Sequence, residues 1–139
     1  MAAVSNLEAT APVETASRTR TVVLEREDDG AIVCERCVVA DTMFRRMRGL
    51  LGRRELPRGE GMLIRPAPSV HTFFMAFPID VVFLSREGDV VKVCEDVRPW
   101  RAAAARRAHS TLELAAGEAR RRGIAPGARL VTYDPERQE

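Results

Sequence analysis

Short apolar runs separated by turn-forming residues fill the chain from residue 20 to residue 134, and this spacing constrains the fold more than any other feature. An Asp-Gly turn at 28–30 between apolar runs predicts a β-hairpin, and the turn at 86–89 between the runs 79–84 and 90–97 predicts another. The run 79–84 is apolar on both faces, as expected of a strand with core on each side. We therefore predict a small, mostly antiparallel β barrel or sandwich of about seven short strands.

Two short helices accompany these strands. Five large apolar side chains recur at helical spacing on one face and predict a helix that starts after a cap at Asp41 or Thr42 and ends near Gly52. These side chains are Met43, Phe44, Met47, Leu50 and Leu51. The segment 117–122 predicts the second helix.

Length, charge and cysteine content narrow the class of protein. The 139 residues suit a single domain, which we place at 20–134, and the net charge of +2 gives no strong field toward nucleic acid or anionic lipid.

Residues 1–19 have neither the basic and apolar regions of a secretory signal nor any periodicity, and they predict a disordered leader. Residues 135–139 predict a tail. No apolar run approaches the ~20 residues of a membrane span, and the odd count of three cysteines argues against a disulfide framework, so we expect a soluble, cytoplasmic protein.

The Cys34-Glu35-Arg36-Cys37 motif has the spacing of a zinc-binding or redox pair. It lies within a predicted strand, where three residue steps separate the Cα atoms by about 10 Å and direct the side chains to opposite faces. A disulfide needs Cα atoms within about 7 Å. We therefore expect structural thiols, no metal site and no cofactor.

His71 and Asp80 are polar residues embedded in apolar runs. On strands, His71 would share a face with Phe73 and Met75, and Asp80 would share a face with Val82. If their segments are neighbours, imidazole and carboxylate could form an acid–base pair, the catalytic candidates of this chain. The other interpretation is a buried hydrogen bond that fixes the loop around the proline at 78.

Arginines and the single tryptophan supply the remaining candidates. Arg48, followed by a glycine, and the glycine-flanked loop 58–61 could bind an anion, or could form a turn with a solvated face. Trp100 with Arg101 could form a stacking shelf for a ligand, or Trp100 could plug the barrel mouth. The basic patch Arg98, Arg101, Arg106 and Arg107 is short and is not interleaved with several aromatic residues, which disfavours nucleic acid as its partner.

Four segments together resemble a known bacterial and archaeal family, the domain of unknown function 192 family. They are TMFRRMRGLLGRRELPRGEGMLI (42–64), HTFFMAFPIDVVFLSREGDVV (71–91), VRPWR (97–101) and LELAAGEARRRGIAPGARL (112–130). The order and spacing agree over residues 20–133. The resemblance implies a compact β-rich fold and no settled activity. Ala115 departs from the family's usual proline.

The leading hypothesis is a ligand-binding or accessory domain with one shallow site, because the embedded polar residues lie at segment ends that a barrel gathers at one rim. The ligand-binding residues would be Arg48, His71, Asp80, Trp100 and Arg101. The expected partner is a small anionic or polyhydroxylated molecule or a peptide segment. Two alternatives remain: a hydrolase or lyase that uses the His71–Asp80 pair, and a nucleic-acid-binding accessory protein that uses the arginine patch.

Overall fold

A computed structural model of the chain describes residues 20–40 and 53–137. The leader predicted for 1–19, the helix predicted over 42–51 and the last two residues of the tail lie outside the described residues. The described ranges form nine strands, one helical turn and a closing 3₁₀ turn. They are β1 (Arg20–Arg26), β2 (Ile32–Ala40), β3 (Glu60–Ile64), β4 (Ser69–His71), β5 (Ile79–Leu84), β6 (Val90–Val97), β7 (Ala102–Ala104), β8 (Ser110–Ala115), α1 (Glu118–Arg121), β9 (Leu130–Tyr133) and the 3₁₀ turn Pro135–Arg137.

Seven strands form one curled sheet in the order β6-β5-β8-β3-β2-β1-β9, and β4 and β7 form a separate two-stranded ribbon. Every pair is antiparallel except β2–β3. A bridge between Asp89 and Arg129 ties the start of β6 to the start of β9, so the two edge strands meet at one end. The result is a half-barrel, which confirms the predicted mostly antiparallel β architecture.

Apolar side chains cover both faces of the sheet. On β5, Val82 and Leu84 join one cluster, whereas Val81 and Phe83 join the cluster on the opposite face. All six residues of β5 are buried, as the sequence predicts for a strand with core on each side. The ribbon packs on the second cluster through Val70 of β4, which fixes the ribbon against the sheet. No helix of the described ranges has the length and apolar character needed to cross a membrane.

The Cys34–Cys37 geometry expected from the sequence is wrong in one respect. The strand is continuous, but the register moves from Val22 opposite Cys37 to Leu24 opposite Cys34, so three residue steps on β2 face two on β1. This bulge places both thiols in the same core cluster, on one face of the sheet. The hydrogen bond from the Cys37 thiol to Cys34, together with burial, raises the pKa of Cys37 well above its usual value. Both thiols are free, and we assign them a packing role.

The segment 71–75 also differs from the expectation of one strand. β4 ends at His71, and Phe74 adopts a left-handed conformation with φ of 69°. His71 and Met75 therefore do not share a strand face. The ribbon strand β7 was not expected because alanine has little preference for strands and the run 102–104 shows no alternation.

An ion-pair network joins α1 to β2. Arg122 donates to both Glu35 at 2.9 Å and Glu118 at 3.1 Å, and Arg121 donates to Glu118 at 2.7 Å. The hydrogen bond from Arg122 lowers the pKa of Glu35 despite partial desolvation. Burial alone would raise the pKa of Glu118, but the hydrogen bonds and charges of Arg121 and Arg122 outweigh it and lower the pKa.

This network predicts acid sensitivity. A carboxylate whose pKa is depressed by folding contributes stability that is complete above its unfolded pKa, near 4.5 for both glutamates, and is lost as pH falls through the folded value. We expect the free energy of unfolding, measured by urea denaturation, to decrease below about pH 5. Glu118→Gln should be less stable at neutral pH and should lose less stability on acidification. An equal acid-dependent loss in the variant and the parent would contradict this role.

Candidate functional site

Three aromatic rings form an exposed cluster at the end of the ribbon. Phe73, Phe74 and Trp100 are 40%, 63% and 55% exposed. The rings of Phe73 and Trp100 stack with centroids 5.6 Å apart, and the ring of Phe74 meets Trp100 at an angle of 61° and 4.7 Å. The His71 ring lies 4.7 Å from Phe73. We call these three aromatic residues, with His71 beside them, the aromatic cluster.

The backbone of this cluster is strained. Phe74 and Trp100 have φ angles of 69° and 66°, in the left-handed region that bulky residues rarely adopt. Each such conformation costs on the order of 1–3 kcal/mol and persists only where surrounding contacts enforce it. Two strained residues from different loops thus bring their rings together in water rather than in the core.

Thr72 holds the two loops together. Its hydroxyl donates to the Arg98 carbonyl at 2.6 Å and accepts from the Arg101 amide at 2.9 Å. Its own carbonyl accepts from the Trp100 amide at 3.1 Å, and its amide donates to the Arg101 carbonyl at 2.8 Å. Thr72 is fully buried. One side chain therefore fixes the turn 98–101 that presents Trp100.

A shallow groove of about 430 Å³ runs from the aromatic cluster along the ribbon. Its lining consists of Ser69, Val70, His71, Phe73, Ala102, Ala103 and Ala104. Ser69 lies opposite Ala104, and His71 lies opposite Ala102, so these four residues share the outer face of the ribbon. The floor is consequently made of small side chains, and the aromatic cluster forms the wall at one end.

His71 contributes an open hydrogen-bonding nitrogen to this groove. Its Nδ1 accepts from the Phe73 amide at 3.3 Å, which places the proton of the neutral ring on Nε2. His71 is half-buried. The ring can therefore donate a hydrogen bond to a ligand that lies against the aromatic cluster.

Asp80 does not join His71. The carboxylate is fully buried at the start of β5, and its Oδ1 accepts from the Asp96 amide at 2.8 Å. Its Oδ2 accepts from the amides of Gly117 and Ala119 at 3.0 and 2.9 Å. Gly117 has no side chain to cap α1, and Asp80 supplies that cap from the sheet. Both carboxylate oxygens are therefore used to position backbone.

The predicted arginines have different positions. Arg48 lies outside the described residues. Arg101 follows Trp100 directly, and its guanidinium donates to the Trp100 carbonyl at 3.4 Å. Arg106 and Arg107 are exposed at the other end of β7. Trp100 is exposed beside the groove and so does not plug the barrel mouth, and its use as a stacking shelf stays a prediction.

Sequence reasoning missed Thr72, Phe73 and Phe74. The run His71-Thr72-Phe73-Phe74 could have indicated them, but interpreting this run as a strand predicted that its aromatic side chains are buried. Glu113 was also missed, and it is a fully buried carboxylate in the middle of β8. Within 20–40 and 53–137, no three His, Cys, Asp or Glu side chains gather closely enough to hold a metal ion.

Comparison with known proteins places this half-barrel in a family without an assigned activity. The family model DUF192, described as Uncharacterized ACR, matches residues 23–132, and the chain belongs to this family. A UPF0127 protein of Thermococcus sibiricus is 34% identical over 83 residues, which cover 57% of this chain. The match spans 53%, about half, of that relative's length.

Two solved structures share the fold. A protein of unknown function from Novosphingobium aromaticivorans matches with a TM-score of 0.67 and 24% identity, over 81% of this chain and 84% of that one. A putative transcription regulator from Sinorhizobium meliloti matches with a TM-score of 0.69 and 25% identity, over 82% of this chain and 93% of that one. These likenesses agree with the half-barrel and assign it no specific function.

Asp80 should be essential for stability. Asp80→Ala leaves three amides without their buried acceptor, and we expect a loss of roughly 3 kcal/mol or more in urea denaturation. Asp80→Asn keeps one acceptor and should cost about 1–3 kcal/mol. Asp96→Asn is the control, because this exposed side chain sits at φ of 53°, which asparagine tolerates. Equal stability of the Asp80 variants and the control would rule out the capping role.

Thr72 should determine the position of Trp100. Thr72→Val keeps the shape but removes the hydroxyl that links Arg98 to Arg101, so we expect Trp100 to become more accessible to acrylamide quenching. Trp100 is the only tryptophan, so its emission reports this loop alone. Thr72→Ser retains the hydroxyl, so acrylamide should quench Trp100 emission in this variant to the same extent as in the parent. Parent-like quenching of the valine variant would show that the hydroxyl does not hold the loop.

Proposed function

We propose that this chain is a binding module whose ligand lies against the aromatic cluster and in the adjoining groove, with His71, Trp100 and Arg101 as the principal contacts. The observation that carries the proposal is the left-handed backbone at Phe74 and Trp100. Strained residues cluster at active sites and ligand clamps, where surrounding contacts hold them in that conformation. Here the strained side chains are exposed, so core packing does not account for them.

The chemistry of the cluster favours a ligand with a flat apolar part and a polar or negative group. Aromatic rings exposed side by side offer apolar area that binding would remove from water. His71 Nε2 and the Arg101 guanidinium are donors at the rim of the same surface. This description fits a small anionic or polyhydroxylated molecule, or a peptide segment.

Among the residues predicted from the sequence, we assign Asp80 a positioning role and leave Arg48 as a prediction. No observation favours the hydrolase or lyase alternative, because both oxygens of Asp80 hold backbone amides away from His71. We place the protein in the cytoplasm, since three free thiols suit a reducing compartment.

An aromatic, anionic probe tests the site. Anilinonaphthalene sulfonate carries a flat apolar part and a sulfonate, so we expect it to bind the folded protein and to quench Trp100 emission by energy transfer. Phe74→Ala and Arg101→Gln should weaken binding several-fold. Tyr133→Ala is the control, because it removes an exposed aromatic ring on β9.

The decisive comparison is between the cluster variants and this control at equal folded fraction, checked by urea denaturation. Parent-like binding in Phe74→Ala, or an equal loss in Tyr133→Ala, would contradict the proposed site.

A further inference from the structure

We infer that the occupant of the groove is an extended acidic peptide segment of a protein partner, with apolar residues on the ribbon floor and carboxylates on the arginines at both ends. This inference rests on the proposed function, since it names the ligand class of the same site. It is carried by the shape of the floor and the charges that flank it.

The floor fits a peptide better than a larger ring system. Ala102 and Ala104 offer methyl groups, Ser69 offers a hydroxyl, and the space above them is shallow and open. Strand β7 spans three residues, roughly 10 Å, which is the length of three extended residues of a bound chain. Apolar side chains of such a chain would rest on the methyl groups and against Phe73.

Positive charges stand at both ends of this floor. Arg98 and Arg101 precede β7, and Arg106 and Arg107 follow it, all exposed. Among the described residues, the one carboxylate near Arg98 is that of Asp96, at 3.8 Å. In the part of the chain that the structure describes, no carboxylate pairs with Arg101, Arg106 or Arg107. Arginines without partners on either side of an apolar strip are complementary to acidic pairs on either side of apolar residues.

A nucleic-acid strand fits this surface less well. Successive bases need stacking rings along the whole strand, whereas the aromatic rings here lie together at one end of the floor, and alanines and Ser69 make up the rest. The floor also offers few polar side chains to contact base edges. The arginines alone do not distinguish the two polyanions, and the experiment therefore includes both.

The test uses three pools of synthetic peptides that share varied Leu, Val, Ile, Phe and Met residues at their centres. Pairs of Asp and Glu flank the centres in one pool, Asn and Gln in the second, and Lys and Arg in the third. Quenching of Trp100 and isothermal titration calorimetry report binding to the full chain. We expect the acidic pool to bind at least about tenfold more tightly than the amide pool, with the advantage shrinking as salt rises.

Variants separate charge from the aromatic contact. Arg106→Gln with Arg107→Gln should reduce the preference for the acidic pool several-fold while leaving anilinonaphthalene sulfonate binding unchanged. Glu136→Gln and Arg86→Gln, at exposed positions outside the ribbon, serve as charge controls. Phe74→Ala should weaken the binding of every ligand of the site, the peptides and the sulfonate probe alike.

The outcomes separate the two proposals. Equal affinity for the acidic and amide pools, or a preference for the basic pool, would overturn the acidic peptide and leave the binding site in place if the sulfonate probe still binds through Phe74. Tighter binding of single-stranded oligothymidylate than of the acidic pool would make nucleic acid the occupant and would also overturn the inference. Failure of both the peptides and the sulfonate probe would overturn the proposed function itself.

Discussion

The buried carboxylate of Asp80 holds together the backbone segments around the candidate site. It accepts hydrogen bonds from three backbone amides, one from the irregular end of β6 and two from the start of α1. A buried charge is stable only when it is hydrogen-bonded, and these three amides are its donors. The end of β6 leads into the turn that carries Trp100, so the position of the aromatic cluster depends on this carboxylate as well as on Thr72.

The exposed rings depend on this support. An unsupported loop would relax Phe74 and Trp100 out of the left-handed region and bury their rings where it could. Instead, hydrogen bonds of Thr72 enforce one conformation, and the ribbon that carries Thr72 is packed on the sheet through Val70. The surface that we propose for ligand binding is thus preorganised, which would reduce the entropic cost of binding.

The hairpins and the central strand could be predicted from local sequence. The turn residues at 28–30 and 86–89 predict the two hairpins, and the run 79–84, which is apolar on both faces, predicts a strand with core on each side. The bulge at 34–37 could not, since it arises from pairing between strands and reverses the faces that a regular strand predicts. The site was partly predictable. Trp100, Arg101 and His71 were identified as unusual polar or aromatic residues at segment ends, whereas Thr72 and Phe74 acquire their roles only through contacts with a loop about 26 residues away.

The edge strands of the sheet meet at the end where Asp89 pairs with Arg129. The opposite end of β6 lies at the margin of the sheet and leads into the turn 98–101, on which the Trp100 side chain is exposed. Changes at the exposed positions of that turn and of the ribbon, such as Trp100, Ser69 and Ala102, therefore do not require the interior to repack. Rings and charges can therefore be exchanged at these positions while the framework stays constant.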